Sequence, residues 1–286
     1  MTAEHLRMLR ALGFQPERCT SIGHESLGRH GVYQCADQII KLYGDGNPPA
    51  AARVFAEQYY TQKARENGVC APRVLRTGTV LGVSYSISQR LEGAIPSTPL
   101  SDGVAREMGA MLGKLHRPSL SEGATWRNAW VEELRQAAQK IHASDAGSEA
   151  SLLCDGTLAY LEGASPLLFS LLPMGTVHGD FSARNVLCTD GHVSALLDFE
   201  LAYEGNVELE LARFYQKELH GSTSRIAAFQ AGYTEQAFLA PGFGRRLPLY
   251  ILGEALIGCS WSKHVVDEFF DDCCAILRRF LTRCAR

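Results

Sequence analysis

The periodicity of the apolar residues changes once along this chain, and that change limits the folds open to it. Across residues 20–91 short runs alternate apolar with polar: GVYQCA, QIIKLY and later TVLGVSYSISQRL. A period of two buries one face of a strand, so these runs are predicted to form an antiparallel sheet, with Asp37 at the turn between the first two. Between them NPPAAARVFAEQYYTQKAREN is predicted to be one helix. Asn47 can cap it, a Pro suits its first turn and Gly68 stops it. From residue 101 the spacing becomes helical. SDGVAREMGAMLGKLHR sets Val104, Met108, Met111, Leu112 and Leu115 on one face, and helical stretches follow at 126–142, 150–172, 208–219, 223–239 and 246–283. One stretch breaks the pattern. In TVHGDFSARNVLCTDGHVSALLDFE, VLC and VSALL flank a TDGH turn as the strands of a hairpin do. The predicted class is α+β. An N-terminal lobe, 1–91, holds a small antiparallel sheet with one main helix. A larger helical lobe, 92–286, carries the hairpin, and LEGAIPS (91–97) is the joint.

Composition removes several function classes. With 286 residues, 46% apolar and 21% charged, the chain has the balance of a folded globular protein of one large or two modest domains. No run approaches the roughly eighteen apolar residues of a membrane span. The opening MTAEHLRMLRALGF has mixed charge and helical spacing at Leu6, Leu9 and Leu12 rather than a signal peptide's apolar centre. A cytoplasmic protein without a membrane partner is therefore expected. The net charge of −3 speaks against a nucleic-acid partner. Nine Cys include no CxxC pair and no Cys/His spacing suited to zinc, so reduced, mostly buried thiols are expected.

The hairpin carries the chemistry. Asp180 and Asn185 lie on the loop that enters it, Asp198 follows its second strand, and strand pairing brings Asn185 and Asp198 close. An Asp carboxylate and an Asn carbonyl are hard oxygen ligands suited to Mg²⁺. Asp180 is then left to take a proton from a hydroxyl attacking a phosphate, the parts list of phosphoryl transfer. The spacing also matches the protein-kinase H-R-D-x-x-x-x-N and D-F-G elements, with Gly179 in place of the Arg and Glu200 in place of the last Gly.

HGDFSARNVL followed by LLDFELAYEGNVELELARF resembles the aminoglycoside phosphotransferase and choline kinase superfamily, the small-molecule branch of the kinase-like fold. Its His-Gly-Asp-x4-Asn and Asp-[Phe/Trp]-Glu elements match at His178, Gly179, Asp180, Asn185, Asp198, Phe199 and Glu200. Its Gly-Asp-Pro-x-x-Asp-Leu-Ala element matches in part: Asn206 and Val207 stand for Asp-Pro, and Glu210 stands for the Asp that braces the catalytic loop. The resemblance implies a bilobal protein-kinase-like fold, Asp180 as catalytic base, Asn185 and Asp198 on Mg²⁺, and His178 holding the loop through its ring. It also gives roles to the first lobe. GHESLGRHGVYQC departs from a P-loop because Arg29-His30 replaces Lys-[Ser/Thr] and a strand follows. It fits instead a strand-turn-strand flap over phosphates, with Ser26 near the tip. Lys41, inside the apolar IIKLY, is expected to neutralise nucleotide phosphates with Glu57 as its partner. Backbone groups around Gln89–Leu91 are expected to read the base, of ATP or GTP alike. Leu91-Glu92-Gly93 and GKLHR (113–117) resemble further family elements.

Acidic residues point to the acceptor. Asp198, Glu200, Glu204, Glu208 and Glu210 outnumber Arg213, and VVDEFFDDCC adds Asp267, Glu268, Asp271 and Asp272. Such a wall would draw a small cationic acceptor, with Glu200, Glu204, Asp267 and Asp271 as candidate contacts and Trp261 as a stacking surface. The leading expectation is an ATP- or GTP-dependent O-phosphotransferase acting on an aminoglycoside-type antibiotic, conferring resistance. The alternatives are a housekeeping kinase for choline, an amino sugar or a methylthio-sugar, and a nucleotide-binding regulator without turnover. Intact Asp180, Asn185, Asp198 and Lys41 speak against the regulator.

Overall fold

A computed structural model describes residues 2–22, 30–46, 48–164, 166–219, 221–263 and 265–284. In chain order the first elements are α1 (Ala3–Ala11), β1 (Cys19–Ser21), β2 (His30–Cys35), β3 (Gln38–Tyr43), α2 (Ala50–Glu66), β4 (Val74–Val80) and β5 (Val83–Gln89). Then come α3 (Asp102–His116), β6 (Ser119–Glu122), α4 (Ala124–Asp145), α5 (Glu149–Gly163), β7 (Leu171–Val177), β8 (Val186–Thr189), β9 (His192–Leu196) and β10 (Tyr203–Asn206). Four helices finish the chain: α6 (Val207–Lys217), α7 (Thr223–Thr234), α8 (Phe243–Ser262) and α9 (Asp267–Cys284). They form two compact units that interleave along the sequence. One comprises Met1–Arg117, Thr176–Glu204 and Gly221–Phe238, and the other Pro118–Gly175, Gly205–His220 and Leu239–Arg286.

In the first unit five antiparallel strands run in the order β1-β2-β3-β5-β4, as the α+β expectation requires. Ile40 and Leu42 of β3 are buried with Met8, Leu9, Tyr33 and Ile87. Successive side chains on a strand alternate faces, so Lys41 between them faces the other way, toward α2. The β2–β3 turn falls at Ala36-Asp37, with Ala36 in the left-handed region. Asn47, the expected cap of α2, lies outside the described residues. The helix begins after Pro49 and ends at Glu66, with Asn67 as its C-cap and Gly68 at φ 82°, the stop expected of that glycine. Ser101 caps α3 by accepting from Val104 N–H at 3.2 Å. Helices α3 and α7 touch backbone to backbone. A Cβ on Gly109 would lie 2.1 Å from the Phe229 carbonyl oxygen, and one on Gly232 1.9 Å from that of Arg106. The buried His116 ring hydrogen-bonds the Tyr233 hydroxyl at 3.0 Å beside this crossing.

The second unit is mostly helical around Trp130, Leu134, Leu172, Leu209, Tyr250 and Leu256. Three expected boundaries move here and in α7. The stretch 150–172 is helical only to Gly163, because Pro166 lacks the N–H to continue it; Leu171–Val177 is instead a strand, β7, paired with β6. The stretch 246–283 is two helices. Val265 and Val266 both donate to the Ser262 carbonyl, at 2.9 and 2.8 Å, in the turn between them. Helix α7 ends at Thr234 rather than near 239.

The expectation of reduced, mostly buried thiols is corrected for one pair. Cys19 and Cys35 are register partners across β1 and β2, and their sulfurs form a disulfide. The antiparallel pairing brings their Cα atoms to 4.5 Å, the approach a disulfide needs. Cys154, Cys259, Cys273 and Cys274 are free and buried, as expected. Among the described residues no helix is long and apolar enough to cross a membrane.

Candidate active site

The hairpin forms as expected. Strand β8 pairs antiparallel with β9, and the connecting Asp190-Gly191 have φ of 53° and 81°, the two positive values of the tight turn that suits a twisted hairpin. Two contacts fix it within its unit. Ala94 and Cys188 exchange backbone hydrogen bonds at 2.9 and 2.8 Å, so the 91–97 joint lies along β8. Glu107 of α3 accepts from Val193 N–H at 2.6 Å and pairs with the His192 ring at 2.7 Å.

On the loop before β8, His178 is fully buried. Its Nδ1 accepts from the Asp180 N–H at 3.3 Å, so Nε2 carries the proton and donates to the Leu197 carbonyl at 2.8 Å. The ring meets Phe199 edge-on at 4.8 Å. It thereby ties the loop to the segment bearing Asp198. Gly179 has φ 84°, and a Cβ there would lie 2.2 Å from the Leu201 carbonyl oxygen. This close approach explains why glycine occupies the position. Gly179→Ala should lose about 3 kcal/mol, combining left-handed backbone strain with overpacking against a backbone atom. Gly191→Ala, which meets nothing within 4 Å, should lose only the strain of about 1 kcal/mol. Urea midpoints at unchanged m-value measure both.

The Asp180 carboxylate is 30% exposed and receives the Arg184 Nη2 at 2.7 Å on each oxygen. Asn185 Nδ2 donates to the Asp180 carbonyl at 2.8 Å and to its Oδ2 at 3.1 Å. The Asn185 backbone carbonyl accepts from Leu197 N–H at 2.8 Å, which sets the strand carrying Asn185 beside the one ending at Asp198. With its amide nitrogen engaged, the side-chain oxygen of Asn185 is the atom that would meet a cation. Asp198 adopts φ 68°, a conformation Asp tolerates better than most residues.

Lys41 reaches Asp198 Oδ1 at 2.7 Å, Glu57 Oε2 at 3.3 Å and Glu200 Oε2 at 4.0 Å. The lysine expected to pair with Glu57 therefore does, and it also bridges the sheet to the hairpin. Burial acts against its charge, but Asp198, Glu57 and Glu200 outweigh burial and hold the ammonium well above the ordinary lysine range. Glu57 is raised, chiefly by burial; Lys41 opposes the rise, and Asp198 and Glu200 add to it. Three carboxylates around one buried ammonium leave an excess of negative charge. Among the described residues no group of three or more His, Cys, Asp or Glu suits a metal ion. A cation here would rest on one or two protein oxygens, those of Asn185 and Asp198. That sparse hard-oxygen set fits Mg²⁺, which keeps waters and phosphate oxygens in its shell.

The remaining expected contacts fall elsewhere. Ser26 lies outside the described residues. Gln89 ends β5, and the N–H groups of Gln89 and Arg90 donate to the Arg73 and Asp37 carbonyls at 2.9 and 2.8 Å. Glu204 accepts from Lys63 Nζ at 2.8 Å and Thr176 Oγ1 at 3.0 Å, clasping α2 to the segment after the hairpin. In the second unit, Glu208 is buried against Arg246 and Glu210 is buried on α6. Asp267 and Asp271 lie exposed on the first turns of α9, and Trp261 contacts Phe269. Part of the expected acidic wall is thus paired within the protein: Asp198 and Glu200 share Lys41, Glu204 meets Lys63, and Glu208 meets Arg246. Arg184, Glu107 and Lys63 were not assigned from sequence. For Lys63 scarcity was a signal, since Arg outnumbers Lys 22 to 6.

The profile of the phosphotransferase enzyme family (APH) matches residues 33–249. In sequence the chain is similar to the homoserine kinase of Rhodopseudomonas palustris, 27% identical over 248 residues, 83% of this chain and 71% of that protein. In structure it is similar to aminoglycoside 2'-phosphotransferase-IIIa in its GDP complex, at TM-score 0.67 and 11% identity over 96% of this chain and 97% of that one. It is also similar to the amicoumacin kinase hAmiN in complex with AMP-PNP, Ca²⁺ and Ami, at TM-score 0.65 and 13% identity over 98% and 92% of the two chains. At these identities the structural likeness establishes a shared, protein-kinase-like fold. The profile match, covering both the sheet with Lys41 and the hairpin with Asp180, Asn185 and Asp198, shows that the chain belongs to the phosphotransferase enzyme family.

Proposed function

We propose that this protein moves the γ-phosphate of ATP or GTP to the hydroxyl of a small, ammonium-bearing acceptor. One observation carries the proposal: Lys41, held by Glu57, meets Asp198 beside the loop on which Asn185 grips Asp180. In this account Asp180 accepts the acceptor's hydroxyl proton, and His178 keeps the loop in register. Lys41 neutralises nucleotide phosphates, and the backbone at Gln89–Leu91 borders the base. Residues 1–91 act as the nucleotide-binding lobe and 92–286 as the catalytic and acceptor-binding lobe. Asn185 and Asp198 would hold Mg²⁺, which when bound supplies charge neutralisation to the phosphates.

The acceptor we favour is an amino-alcohol metabolite of the homoserine kind rather than a polycationic antibiotic. Two points support it. Glu200 and Glu204, the acids beside the hairpin expected to meet a polycation, are engaged by Lys41 and Lys63, and the relative at 27% identity is a homoserine kinase. The aminoglycoside alternative draws on the exposed Asp267 and Asp271 of α9. ADP and GDP release with L-homoserine, choline, amino sugars and aminoglycosides separates the two. We expect turnover with an amino-alcohol metabolite and a KM nearly flat in salt. Turnover confined to aminoglycosides, with KM rising steeply between low and physiological ionic strength, would establish the resistance function instead.

A further inference from the structure

The Asp180 carboxylate does not stand open to an acceptor. A single guanidinium nitrogen of Arg184 straddles both of its oxygens at 2.7 Å, and Asn185 holds Oδ2 at 3.1 Å. Arg184 sits in the short helical turn Ala183–Asn185, whose Ala183 and Asn185 are buried, so its backbone is fixed. Its side chain is 57% exposed. An exposed pair of this kind is weak, and exchanging its partner costs little.

We propose that Arg184 is a catalytic residue that passes from Asp180 to the phosphoryl group as the proton moves; this rests on Asp180 being the base. The acceptor O–H bond breaks and its proton goes to an Asp180 oxygen. The acceptor oxygen bonds to the γ-phosphorus, and the bond from phosphorus to the β-phosphate oxygen breaks, its electron pair leaving with the nucleoside diphosphate. Protonated Asp180 has lost the charge that held the guanidinium. Meanwhile the phosphoryl group, with its negative oxygens, stands on the far side of the acceptor oxygen. That oxygen lies about 3 Å from the base and about 3 Å from phosphorus in a reactive pose. The swing required is therefore a side-chain rotation. A guanidinium is suited to it, being permanently charged and able to fork two phosphoryl oxygens. Lys41 is held by three carboxylates, which leaves Arg184 as the cation placed directly at the base.

The test uses a planar phosphoryl mimic, so no acceptor need be known. Binding of MgADP, and of MgADP with fluoroaluminate, is measured by calorimetry on the wild-type protein, Arg184→Ala, Arg184→Lys and Asp180→Asn. We expect Arg184→Ala to bind MgADP as the wild type does, which also reports an intact fold, but to bind the fluoroaluminate complex about 10–100-fold more weakly, with Arg184→Lys between them. Equal fluoroaluminate affinity in the wild type and Arg184→Ala would overturn the proposal, as would a wild type that gains nothing from fluoroaluminate. The base assignment fails separately, if Asp180→Asn keeps wild-type turnover.

Discussion

Replacing Asp180 with Asn should cut phosphoryl transfer by about 10²–10⁴-fold, the usual contribution of a general base. The substitution keeps the shape of the side chain and removes the oxygen that takes the proton. Nucleotide affinity should be unchanged, because Lys41 and its contacts with Glu57 and Asp198 are untouched. Stability should also change little, since the carboxylate's ion pair with Arg184 is exposed and such pairs are worth at most about 1 kcal/mol. Turnover numbers and MgATP titrations on the same preparation check all three. A turnover within tenfold of the wild type would remove Asp180 from the proton transfer.

The largest stability loss should come from Arg246→Leu. Arg246 and Glu208 are 3% and 1% exposed, and two guanidinium nitrogens meet the carboxylate at 2.7 and 2.6 Å. The network extends further. Tyr250 donates its hydroxyl to Glu208 at 2.9 Å, Asn206 donates to Tyr250 at 2.9 Å, and the Arg246 Nη1 donates to the Leu168 and Pro241 carbonyls at 3.1 and 3.0 Å. Burial opposes the charge on Arg246, but Glu208 outweighs it and raises the guanidinium further. Removing the guanidinium leaves a buried carboxylate with the Tyr250 hydroxyl but no counter-charge, and takes a donor from two carbonyls, a loss of about 3–5 kcal/mol. The melting temperature should fall by on the order of 10 °C. Adding Glu208→Leu should recover most of that loss, because a buried pair replaced as a whole is far less costly than one broken. A single variant as stable as the wild type would show that Glu208 finds water or another partner.

Much of this was legible in the sequence, and the exceptions have physical causes. Period-two runs marked the sheet, Asp-Gly marked the hairpin turn, and an isolated Lys in an apolar strand marked the sheet residue that meets Glu57 and Asp198. The resemblance drawn from HGDFSARN and LLDFE agrees with the family match. Strand β7 begins with Leu171 and Leu172, which fall within the stretch expected to be helical because a short apolar run fits either period. Its partner β6 is exposed along its length and shows no alternation. The break between α8 and α9 contains no glycine or proline to announce it. Cross-strand and cross-helix partners were hidden by sequence distance: Cys19 with Cys35, Lys63 with Glu204, Glu208 with Arg246. The need for glycine at 179 appears only once the Leu201 carbonyl is seen above it.

The central claim is that the hairpin and the Lys41 cluster form a phosphoryl-transfer centre. Phosphorus NMR of MgATP and MgGTP with the acceptor panel tests it most directly, with wild type and Asp180→Asn compared. The expected result is loss of the γ-phosphate signal and growth of a phosphomonoester resonance in the wild type alone. A γ-phosphate that persists while nucleotide is bound, or an ester formed equally by both proteins, would contradict it.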